Sequence, residues 1–173
     1  MNARILQKTS LLCALVMLLA PAAAVTEGGT DTRDQAIEML RTAHRQHAAA
    51  RYDSVLTTLA ELLSLQPTNQ DAYYYSALAH IALGDTAQAL TVLTQGAERA
   101  PLSSRIKLMK VRLHLIAGET DIARELLNAV KMFKPNNAEA MYLEGRLALV
   151  EGDSTRALEL WEAALKRAGR DRR

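Results

Sequence analysis

The sequence predicts an all-α chain, an α-solenoid of about four helix-turn-helix repeats. Two columns of punctuation carry that reading: Pro67, Pro101 and Pro135 recur every 34 residues, and Gly84, Gly118 and Gly152 recur with the same period at another phase. Independent marks that share one period signal a repeat array. Ala89, Ala123 and Ala157 fall into register as well, with Val55 in the first repeat, and Ala43, Ala77, Val111 and Gly145 make a further small-residue column. The composition agrees, since 49% hydrophobic with only 4% aromatic describes alanine- and leucine-rich helices rather than an aromatic-lined active site.

From the start, residues 1–24 read as a secretory signal: Arg4 and Lys8, an apolar run from Leu11 to Ala20, then Ala22-x-Ala24 for a signal peptidase. Cleavage after Ala24 would place the chain in the periplasm or outside the cell. A retained anchor is the competing reading, but the run is shorter than the roughly 20 residues that span a bilayer. Cys13, the only cysteine, would leave with the signal, so disulfides and thiolate metal sites are not expected. Residues 25–33 lack periodicity and read as a flexible leader. A repeat domain over 34–169 then divides into units of about 36–69, 70–103, 104–137 and 138–169, followed by a basic tail at 170–173.

Each recurring residue has a physical task. Glycine takes the left-handed conformation that closes a first helix. Asp85, Thr86, Glu119, Thr120, Asp153 and Ser154 then offer acceptors and negative charge to the next helix start. Each proline stops a second helix, and Asn69, Ser103 and Asn137 beyond it suit the following N-cap. Small columns let two helices approach where they cross, while Leu59, Leu93, Leu127 and Trp161 fill the space between them.

This pattern resembles the tetratricopeptide repeat family over roughly Asp34 to Ala168. The first unit departs most, with Ala50 in the turn-glycine place and Thr42 where a large apolar residue is usual. The last lacks the closing proline and the extra capping helix, which leaves the outer face of the final helix uncovered. The resemblance implies a right-handed superhelix whose first helices line a concave groove for a protein or peptide segment. The matching positions are Leu40, His44, Asp71, Tyr74, Tyr75, Leu78, Arg105, Leu108, Met109, Arg112, Tyr142 and Arg146. Tyrosines would supply apolar faces with polar tips, and the arginines planar forks for acidic or C-terminal carboxylates. The lysine and asparagine clamp that some members use for a chaperone terminus is replaced here by Leu40, His44 and Tyr75. The stretch from Gly152 to Arg167 is similar to modules associated with cytochrome c maturation, and more loosely to those of pilus or outer-membrane assembly.

Enzymatic motifs are missing: there is no phosphate loop, no G-x-S-x-G elbow and no H-E-x-x-H. A non-enzymatic scaffold without cofactor or metal is therefore expected, with self-association through the uncapped last helix as the alternative. His44 and His47 could face one metal but lack a third ligand nearby, and His80 and His114 share a repeat column that the family usually buries. Loss of Arg4 and Lys8 from the 21 basic residues would balance the 19 acidic ones, which argues against nucleic acid. Charge is uneven along the array, at +4 in the third repeat and −2 in the second, so either a directed partner or solvated faces follows. The basic tail allows at most peripheral contact with a membrane.

Overall fold

The computed structural model describes residues 27–170, so the expected signal at 1–24 and the last three residues lie outside the described part. Two compact units divide at Ile37 and Glu38, and the second holds the repeats. Among the described residues there are eight helices and no strands: α1 (Glu27–Ala48), α2 (Tyr52–Leu65), α3 (Gln70–Ala82), α4 (Thr86–Arg99), α5 (Ser104–Ala117), α6 (Thr120–Phe133), α7 (Ala138–Val150) and α8 (Ser154–Arg170). The helix starting at Glu27 replaces most of the leader expected over 25–33. Extending an existing helix backwards needs no new nucleus, which is why weak local sequence can join it.

The turns follow one chemical plan. Gly84, Gly118 and Gly152 have φ of 81°, 78° and 89°, and the next residue's N–H reaches back across the turn: Asp85 to His80 O, Glu119 to His114 O and Asp153 to Ala148 O, each at 2.9 Å. A second bond runs from the glycine N–H to the carbonyl three residues earlier, completing the Schellman closure. The first repeat makes the same turn without glycine: Ala50 sits at φ 54°, and the Arg51 N–H donates to Gln46 O at 2.9 Å.

Helix starts are capped where the sequence offers short acceptors. Asp85, Asp153, Asn69, Ser103 and Asn137 each accept from the backbone N–H three residues on. Glu119 differs, because its longer side chain leaves the cap and meets His114 Nδ1 at 2.5 Å.

Consecutive helices pack from α2 to α8, and the first helices also touch one another, α3 on α5 and α5 on α7. The middle helix α5 is therefore covered on two sides. Its Ile106, Met109 and Leu113 join Tyr73, Ala77, Ala89 and Leu93 of the second repeat. Its Leu108, Val111 and Leu115 join Ala123, Leu127 and Val130 of its own repeat and Ala140, Leu143 and Leu147 of the fourth. The small-against-large columns hold, with Ala43, Ala77, Val111, Leu59, Leu93 and Leu127 all buried.

Trp161 departs from its column. Leu93 and Leu127 are covered by the first helix of the following repeat, but α8 has no such neighbour among the described residues, so Trp161 is only half-buried. Gly145 makes its seat: a Cβ there would come within 2.5 Å of Trp161 Nε1, which instead donates to Tyr142 O at 3.1 Å.

Ala50 gives a direct test of the turn chemistry. The left-handed conformation costs an L-residue about 1–2 kcal/mol, part of which a glycine would give back through its freer unfolded chain. Ala50→Gly should raise stability by about 0.5–1 kcal/mol in urea unfolding, and Gly118→Ala should lower it. A lowered midpoint for Ala50→Gly would refute the strain.

Candidate peptide-binding face

The residues expected to bind a ligand lie on the first helices, α1, α3, α5 and α7, and fall into three groups. The first is an aromatic and cationic stack. The Arg105 guanidinium lies 3.8 Å from the centre of the Tyr74 ring and 5.2 Å from that of Tyr75. It also donates to Asp71 Oδ1 at 2.5 Å and to the Tyr75 hydroxyl at 3.3 Å. His44 meets Tyr75 edge to face with ring centres 4.3 Å apart. Partial burial works against the Arg105 charge, but the Tyr75 hydroxyl and the Asp71 carboxylate outweigh it and hold its pKa above the ordinary arginine value. The result is a permanently charged bridge between α3 and α5.

The second group is withdrawn from any ligand. Leu108 and Met109, expected to line the groove, are 1% and 3% exposed. Leu108 is held in the cluster shared with α7 and Met109 in the one shared with α3. The cause is the two-sided packing of α5, which turns both neighbours of one helical face into core. Leu40 and Leu78 are half-buried and contribute only edges.

The third group is open and sits toward the fourth repeat. Arg112 pairs with Glu139 at 2.9 Å, both groups staying about half in solvent, and its Nε finds no acceptor among the described residues. One repeat on, Arg146 has no carboxylate partner among the described residues. Tyr142 is 45% exposed and borders an apolar trough of about 440 Å³ between α7 and α8, lined also by Ala138, Trp161, Ala164 and Leu165.

The charge asymmetry has a structural answer. Arg105 takes Asp71 of the second repeat, while Arg112, Arg124 and Lys131 take Glu139, Glu151 and Glu144 of the fourth. Four of the third repeat's seven basic residues are thus held by acidic groups of the neighbouring repeats. The opposite signs of Asp71 and Arg105, 34 residues apart in one repeat row, are the sequence signal for the first of these pairs. Glu144 on α7 and Glu151 just past its end carry no such signal. The histidines diverge: His44 stacks on Tyr75 and His47 on Tyr52, and no cluster able to hold a metal occurs among the described residues.

The comparisons with known proteins agree with the repeat fold. Two profiles of the tetratricopeptide repeat match residues 46–113 and 108–172. Among solved structures, the chain is similar to one in the APC/C hetero-tetramer Cut9-Hcn1, with TM-score 0.70 and 16% identity over 78% of this chain; it spans only 26% of that one. It is similar to MamA of Desulfovibrio magneticus RS-1, with TM-score 0.62 and 22% identity, covering 78% of this chain and 76% of that one. It also resembles YrrB, described as having an unusual peptide-binding site, with TM-score 0.50 and 17% identity over 85% and 93% of the two chains. No curated protein sequence matches the chain.

A double-mutant cycle on Asp71→Ala and Arg105→Ala should give a coupling of about 0.5–1 kcal/mol, modest because the pair is half-exposed. The coupling should shrink as salt rises, since the pair is screened. A coupling of zero at low salt would show that the bridge does not hold α3 to α5.

Proposed function

Because the chain belongs to the tetratricopeptide repeat family, we propose that it is a non-enzymatic adaptor that holds a segment of another protein across the first helices of its last two repeats. The observation that carries this reading is Arg146, an arginine without an ion pair among the described residues, whereas Arg112, one repeat earlier in the same row, is paired with Glu139. Beside it stand Arg112, which a ligand carboxylate can share with Glu139, and the exposed ring of Tyr142. A planar guanidinium next to an aromatic face suits an acidic side chain or a C-terminal carboxylate flanked by an apolar residue. The peptide-binding site named for YrrB supports the class of ligand.

The same reading includes location. The charged start, short apolar run and Ala22-x-Ala24 support export with cleavage, and thus a partner in the periplasm or envelope, as in assembly of cytochrome c or pilus machinery. A second reading is favoured by one observation: Leu158 and Leu165 on α8 are 60% and 75% exposed, an apolar stripe that a second copy could cover. Dependence of size on concentration, measured for the purified chain, separates self-association from the adaptor.

For the adaptor, the chain and its variants are used to capture a partner from an envelope fraction, and the captured protein is then titrated. Arg146→Ala should weaken binding about tenfold with a smaller salt dependence, and Tyr142→Ala should weaken it with the salt dependence unchanged. Stability should stay within about 0.5 kcal/mol for Arg146→Ala because the residue has no ion pair among the described residues. Arg99, exposed on α4, is the control, since Arg124 and Lys131 are structural. Equal losses in Arg99→Ala and Arg146→Ala would rule the site out.

A further inference from the structure

The edge of the third repeat carries a second surface that neither the fold nor the adaptor uses. At the start of α5 and the end of α6, Leu102, Met132 and Phe133 stand 79%, 81% and 68% exposed. They are one patch, because Lys107 Nζ lies 5.7 Å from the Phe133 ring centre and Lys134 Nζ is 3.1 Å from Ser104 Oγ, two residues from Leu102. Lys107, Lys110 and Lys134 have no carboxylate partner among the described residues, in contrast to the other basic residues of this repeat. Large apolar side chains exposed together with unneutralised lysines mark a contact surface.

The repeats provide an internal control on whether the fold requires these residues. At the place of Met132 the other repeats have Ser64, Glu98 and Lys166, and at the place of Phe133 they have Leu65, Arg99 and Arg167. Leu102 corresponds to Thr68 and Asn136. The same edge is therefore built elsewhere mostly with polar residues, and the apolar trio answers to something outside the chain.

We infer that this edge rests on an anionic lipid bilayer, with Leu102, Met132 and Phe133 entering the interfacial region and Lys107 and Lys134 meeting lipid phosphates. The three apolar side chains protrude, each more than two-thirds exposed. A knob of this kind suits insertion between headgroups, whereas a peptide ligand needs a concave seat to bury its own surface. Lysine stems lie along the apolar surface while their charged ends reach the phosphates. The contact is peripheral: no described helix is long and apolar enough to cross a membrane.

The test uses the full chain as cells process it, so that any contribution of its N-terminal segment is common to all samples. Phe133→Trp is compared with Leu65→Trp, the same edge position in the first repeat, on vesicles of brominated phosphatidylglycerol, after subtraction of the Trp161 signal from the parent. The inference predicts strong quenching at 133 and little at 65, and no quenching with brominated phosphatidylcholine. Met132→Ser with Phe133→Ser should weaken vesicle binding about tenfold. Lys107→Gln with Lys134→Gln should do so at low salt and have little effect at high salt. Equal quenching at the two positions, or serine and glutamine variants that bind as the parent does, would overturn it. So would a soluble acidic peptide that shifts the emission at 133 when vesicles do not, which would make the edge a protein-docking surface.

Discussion

Everything in this array depends on a first helix being covered from both sides. A helix pair of this kind cannot bury its first helix alone, and α5 shows the solution, with Ile106, Met109 and Leu113 turned to one neighbouring repeat and Leu108, Val111 and Leu115 shared with its own second helix and the other neighbour. Helices with apolar residues on two sides need neighbours at a fixed distance, and the Schellman turns and prolines set that distance every 34 residues. The ion pairs follow from the same packing. Once α5 lies between α3 and α7, Asp71 comes within reach of Arg105, and Glu139 within reach of Arg112.

That constraint also decides where function can reside. In the interior repeats Asp71 is paired with Arg105 and Arg112 with Glu139, so a ligand must displace existing partners to reach those groups. The fourth repeat has a neighbour on one side only among the described residues, and there Arg146, Tyr142 and Trp161 remain accessible. Stability and accessibility are thus opposed along the described repeats.

The parts of this arrangement that are legible in the sequence are those fixed by local chemistry. Pro67, Pro101 and Pro135 mark the ends of second helices, Asn69, Ser103 and Asn137 cap the next ones, and even the turn at Ala50 falls where the register puts it. The site is less legible. In α5 charged and apolar residues are interleaved around the helix with no single polar face, so periodicity alone does not tell which of Leu108, Met109 or Arg112 is covered. Nor does a column say whether an arginine meets solvent or a carboxylate 34 residues away, and for Arg105 it meets Asp71. Trp161 shares a column with leucines but not their burial, because its position in the array differs from theirs.

The most direct measurement of where a partner sits is site-specific photocrosslinking. A photoreactive phenylalanine analogue at Tyr142 faces the open side of α7, and one at Thr91 lies exposed on the second helix α4. If the first helices of the open end hold the ligand, irradiation in envelope extracts links the partner to position 142 and not to position 91, and mass spectrometry places the link within one continuous segment. A partner that crosslinks from Thr91 and not from Tyr142 would contradict the proposed face and move the binding surface to the second helices.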